Sequence, residues 1–128
     1  MRTNTVVSAI AVFIILPITQ LALADNSAIG AMAEILISLN HFPSDSDKQR
    51  LSEIVDNSDS SEAEIAVATA IANIEHHAMA ADKEKLTVIV ADESASFQLR
   101  DLASVVLALN HTPSATDIEK LASLVPES

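Results

Sequence analysis

An all-α fold is predicted, made of three 35-residue helix-turn-helix repeats that form a short α-solenoid or a six-helix bundle. Three observations predict it. First, five columns of identical residues recur at one spacing: Ala33/Ala68/Ala103, His41/His76/His111, Asp47/Asp82/Asp117, Leu51/Leu86/Leu121 and Val55/Val90/Val125. A fixed period of this length marks a repeated supersecondary unit. Second, the apolar residues inside each unit follow helical spacing, as in Leu51-Ile54-Val55 and Leu86-Ile89-Val90. Third, helix stop and start signals fall at the same register, with Pro43-Ser44 reappearing as Pro113-Ser114.

Residues 1–24 are expected to be a cleaved secretory signal. Arg2 gives a weakly basic start, Val6 to Ile18 an apolar core, and Ala22-Leu23-Ala24 a small-x-small cleavage pattern before Asp25. The apolar run is short of the roughly 20 residues that span a bilayer, so no stable membrane insertion is expected after cleavage. The expected location is periplasmic or secreted. With no cysteine in the chain, neither disulfides nor lipid attachment at a new terminal cysteine is available. The remaining 25–128 read as one helical repeat domain, in units 25–59, 60–94 and 95–128.

The first helix of each unit is apolar nearly all round: Ile29, Met32, Ile35, Leu36 and Leu39 in unit one, and Leu99, Leu102, Val105, Val106 and Leu109 in unit three. Unit two has the same character with smaller groups, Ile65, Val67, Ile71 and Ile74 among alanines. Such helices belong in an interior, where alanine lets neighbours approach. The second helices carry one narrow apolar stripe with charges off it, which predicts an outer layer with one wet face. Thr87 to Val90 in isolation has strand character, but its place in the repeat predicts helix.

The turns follow from proline and serine. Pro43 and Pro113 disfavour helical geometry in the residue before them, so the first helix should stop near the histidine. Ser44 and Ser114 then stand as N-caps, with Asp47 and Asp117 at capping-box spacing; Asp82 holds that column in unit two. Ser61 and Glu64 offer a further capping box. Unit two has Ala78-Met79 where the others have Pro-Ser, which predicts a weaker turn, longer or partly helical. Asp56 to Ser61 is the clearest inter-unit linker. The unit length is similar to that of tetratricopeptide and pentatricopeptide repeats, yet their large-residue patterns are absent, so the likeness to helical-hairpin repeat proteins is general only.

Composition narrows the function classes. The segment 25–128 holds all 18 acidic residues and six of the seven basic ones, a formal charge of −12. That charge disfavours nucleic acid and anionic lipid as partners. Its aromatics are Phe42 and Phe97 alone, too few for base-stacking platforms. No glycine-rich phosphate loop or cysteine nucleophile is present, since Gly30 is the only glycine. Asp92-Glu93 lies in a polar inter-unit segment that lacks an apolar pocket to shift a carboxyl. No enzymatic activity and no cofactor are expected. The linker beginning at Asp56 fails the calcium-loop pattern, with Ser61 at position six and Val67 at position twelve.

The histidine column is the sharpest lead. Each histidine precedes an acidic residue by six positions, so a His–Asp couple in every unit is one reading, and helix-end capping is the plainer one. Metal binding by His41, His76 and His111 requires convergence on one ion, whereas like positions in a stack tend to line up, about 8–10 Å apart. The function expected from the sequence is therefore an exported, non-catalytic interaction or scaffolding protein with a protein partner. Self-association through the apolar first helix is the simplest form of that role. The alternative is a divalent-metal-binding periplasmic protein that uses the repeated histidines.

Overall fold

A computed structural model describes residues 27–127 as six helices. They are α1 (27–37), α2 (Asp45–Asp56), α3 (Glu62–Ala72), α4 (Ala80–Ala91), α5 (Phe97–Ala108) and α6 (Ala115–Ala122). Among the described residues there is no strand; the sole bridge pairings are single contacts across the three histidines. The expected signal, 1–24, lies outside the described residues. Thr87 to Val90 is helical, within α4.

Burial follows the apolar pattern. In α1, α3 and α5 the residues Met32, Ile35, Leu36, Val67, Ile71, Leu102, Val105 and Val106 have no exposed surface. The alanine column and the leucine column, Ala33/Ala68/Ala103 and Leu51/Leu86/Leu121, are buried to 0% exposure at every position. The valine column is half-buried throughout. α3 lies against α5, and each carries a fully buried alanine of that column, Ala68 and Ala103. Each of α2, α4 and α6 buries its conserved-register leucine and keeps the opposite face wet, so these helices form the outer layer.

Consecutive helices pack across the linkers: α2 against α3, and α4 against α5. The segment after α6 in turn lies against α1. A Cβ added to Gly30 in α1 would lie 2.7 Å from Cδ of Pro126, just past α6. The one glycine of the chain thus stands where the segment after α6 meets α1, and its missing side chain allows the approach. This contact overturns one expectation. The apolar side of α1 is not an exposed flank: Ile29, Met32, Ile35, Leu36 and Leu39 are all buried within the chain. The argument for self-association through that helix falls with it.

Capping matches the sequence closely. Ser44 and Ser61 form reciprocal capping boxes with Asp47 and Glu64, and Ser114 accepts the Asp117 N–H. Ser96 caps α5 through the Leu99 N–H. The linkers share a device too. Asn57 accepts from the Asp59 N–H and Asp92 from the Ser94 N–H, each closing an Asx turn after a second helix. The Ser94 hydroxyl also donates to Asp92, and these bonds hold the Asp92 carboxyl below its ordinary range. Unit two corrects the expectation of a longer or partly helical turn. His76 takes the same backbone conformation as His41 and His111, and Ala78 is buried, as Pro43 and Pro113 are. Unit two lacks the N-cap bond, since Met79 at the N-cap of α4 makes no side-chain hydrogen bond.

Two stability measurements test this packing. Met79 is 53% exposed, so Met79→Ser forfeits little buried surface and supplies the missing acceptor; it should stabilise the chain by about 0.5–2 kcal/mol in urea titrations. Gly30→Ala should destabilise by about 1–3 kcal/mol despite alanine's better helix propensity, because the new methyl meets Pro126. In the Gly30→Ala/Pro126→Ala pair most of that loss should disappear, and additive effects would show that the two positions do not touch.

Candidate functional site

The turns between first and second helices all arrive at one place. Helical geometry ends three or four residues ahead of each histidine, at 37, Ala72 and Ala108. The chain then bends sharply at the histidine itself. His41, His76 and His111 have φ of 73°, 74° and 72°, and they are the only non-glycine residues with positive φ among those described. Left-handed backbone costs an L-residue about 1–2 kcal/mol, which glycine would avoid. Histidine tolerates it better than most, but three histidines where glycine is free of strain point to a use for the side chain.

The bend orients each histidine so that its backbone N–H and C=O both engage the other two turns. The His76 N–H donates to the His41 carbonyl (2.9 Å), the His111 N–H to the His76 carbonyl (2.6 Å), and the His41 N–H to the His111 carbonyl (3.2 Å). Three hydrogen bonds close a cycle. The imidazoles gather above it, with ring centres 5.3 Å apart for His41 and His76, 5.4 Å for His41 and His111, and 5.1 Å for His76 and His111. They pack edge to face or tilted, His41 partly buried and the other two exposed. The expectation that like positions line up is therefore wrong. That expectation took the spacing of parallel helices, whereas the histidines sit beyond the helix ends, on turns that bend toward a common axis.

The His–Asp couple is also absent. Asp47 accepts from the Ser44 hydroxyl and N–H, Asp117 from the Ser114 hydroxyl, and Asp82 from the Asn73 amide. The acidic column serves helix starts and the turn before them. The His41 and His111 rings contact the asparagines before them rather than the carbonyls at their helix ends. Nδ1 of His41 lies 2.7 Å from Oδ1 of Asn40, and Nδ1 of His111 lies 2.8 Å from Oδ1 of Asn110. Sequence reasoning passed over both asparagines, although Leu39-Asn40-His41 and Leu109-Asn110-His111 were visible as a doublet. In unit two the position is Glu75, whose backbone N–H donates to the His77 carbonyl.

Ring centres at these distances are those of ordinary edge-to-face packing, and they also fall near the spacing that three imidazoles on one ion would have. An ion–nitrogen length of about 2.0–2.1 Å puts each ring centre about 3.2 Å from the ion, and three rings at tetrahedral angles then have centres about 5.2 Å apart. Among the described residues no group of three or more His, Cys, Asp or Glu side chains is placed so that it could hold a metal ion. Beside the triad a groove of about 460 Å³ is lined by Phe42, Ile74, Glu75, His76 and Met79. A larger depression of about 900 Å³ lies elsewhere, between α3, α4 and α5, with Ala63, Val88, Ile89 and Leu99 on its walls. It holds no histidine. Asp92 on its rim is held ionised by Ser94, the opposite of what a general acid needs.

The chain matches no protein-family model, no curated protein and no solved structure.

Backbone strain gives a direct test of the bend. His76→Asn and His76→Gly, both compatible with left-handed geometry, should change stability by less than about 1 kcal/mol. His76→Val should cost about 1–3 kcal/mol, since a β-branched residue resists that conformation. Urea unfolding of the three variants measures the difference.

Proposed function

We propose that the chain is an exported, non-catalytic binding protein built from three helical hairpins closed into a ring, with a divalent transition metal bound by His41, His76 and His111. The closed arrangement accounts for the equal burial of equivalent columns, for the cycle of backbone bonds at the histidines and for the contact of Gly30 with Pro126. The metal reading rests on one observation: three imidazoles with centres 5.1–5.4 Å apart on strained backbone that glycine would hold more cheaply. Imidazole ligands suit zinc, copper and nickel, and a set of three leaves a coordination position for water or another ligand. Secretion and a periplasmic or extracellular setting are part of the same proposal and draw on residues 1–24.

The interaction role expected from the sequence keeps one support. Phe42 and Met79 are large, apolar and more than half exposed, and both line the groove next to His76. Their position favours a protein partner that docks on the histidine end rather than on α1.

Calorimetry with zinc, copper and nickel tests the metal reading. One ion per chain should bind the wild type, and the triple His→Asn variant, which preserves the turn geometry, should bind none. At an ion concentration of 100 Kd, binding should add about 2.7 kcal/mol to the unfolding free energy of the wild type alone. Equal binding by the triple variant would assign the metal to the acidic surface.

A further inference from the structure

The repeats diverge at one place away from the histidines, and that divergence has a chemistry of its own. The depression bordered by α3 and α4 has a counterpart one repeat earlier on α1 and α2, where Ala28, Ala31 and Ile54 stand 35 residues before Ala63, Ala66 and Ile89. The two differ in size, about 340 Å³ in unit one against about 900 Å³ in unit two. They differ in side chains as well. Glu53 gives way to Val88, which is 68% exposed, and unit three has Ser123 at that position. Ser27 and Asn57 give way to the carboxylates Glu62 and Asp92. Arg50 pairs with Glu34 at 2.7 Å, whereas its counterpart Lys85 has Thr69 at the register of Glu34.

These exchanges alter what the depression can hold. Its floor includes the buried Ile29, Ile89 and Leu99, and Val88 extends that apolar surface outward where the other two units put a polar side chain. The volume falls within the range of about 300–1,000 Å³ usual for small-molecule sites. No aromatic residue lines it, so the walls suit a flexible hydrocarbon better than a ring that needs a stacking face. Three carboxylates, Glu62, Glu64 and Asp92, border it against one ammonium, Lys85. Glu64 is buried and accepts the Ser61 N–H, while Glu62 and Asp92 are exposed at the rim. The bonds from Ser94 keep Asp92 ionised. A concave site with this balance, on a chain of formal charge −11, attracts cations. We propose that the depression is a ligand site particular to unit two, taking a small amphiphile with an aliphatic body over Val88, Ile89 and Leu99 and a cationic head at the rim lined by Glu62 and Asp92. The site is separate from the histidines and does not depend on what they bind.

The test titrates the full chain with decylammonium, decanol and decanoate, each below its micelle-forming concentration, and follows backbone ¹⁵N–¹H spectra. Decylammonium should shift the amides of Ala63, Ala66, Ile89 and Leu99 and leave those of Ala28, Ala31 and Ile54 in place. It should bind more tightly than decanol, and decanoate should bind most weakly. Val88→Ser and Asp92→Asn install residues that units three and one already carry, both at exposed positions, and asparagine keeps the turn acceptor seen at Asn57. Both variants should therefore retain the wild-type melting temperature. Val88→Ser should weaken decylammonium and decanol alike, by about three- to tenfold. Asp92→Asn should weaken decylammonium alone, by about two- to fivefold. Tighter binding of decanoate would assign the head group to Lys85 and overturn the cationic reading. Shifts that spread over the acidic surface or into unit one, affinity untouched by Val88→Ser, or no binding of any of the three would show that the depression is not a ligand site.

Discussion

The cycle of backbone hydrogen bonds through His41, His76 and His111 is the constraint on which the rest of the chain depends. Its members are separated by 35 residues, and the bond from His41 to His111 spans twice that distance. Closing such long loops is entropically unfavourable, and three left-handed histidines add backbone strain. Those costs are offset by the interior. The alanine column brings the inner helices together, and each turn positions an outer helix whose leucine reaches the core without leaving exposed surface. The bonds fix register rather than supply most of the stability. A typical hydrogen bond nets about 0.5–1.5 kcal/mol, while burial of a leucine side chain contributes about 1.5–3 kcal/mol.

Much of the helical content was legible in the residues, because the signals are local. Ser44, Ser61 and Ser114 announce helix starts by side-chain chemistry that acts over three positions. The leucine and valine columns give the wet and dry faces through simple periodicity. The ambiguous Thr87 to Val90 segment was resolved by its register, and the helix at α4 agrees. Ala78 taught the reverse lesson. It lacks proline's fixed φ, yet the turn it occupies is the same, because the buried site and the neighbouring turns determine the backbone there.

The meeting of the histidines was not legible for a physical reason. A repeat says that equivalent residues see similar surroundings, but it does not give the rotation from one unit to the next. A small rotation makes an open stack with a histidine row; a large one brings the same atoms face to face. Nothing at positions 41, 76 or 111 encodes that angle by itself. The pairing of Asp47 and Asp117 with serine rather than histidine was legible: the capping box and the His–Asp couple competed for the same carboxylate, and the shorter loop won. Asn40 and Asn110 were hidden in plain view, since an Asn-His doublet reads first as turn-forming residues.

The seam at Gly30 and Pro126 carries a consequence for how the molecule comes apart. In an open array each terminal element touches a neighbour on one side alone and can fray while the middle persists. A closed set of three hairpins, as proposed above, would have no free edge among the described residues, because the segment after α6 lies against α1. Detaching one hairpin would then break two junctions at once, and unfolding would be cooperative through topology.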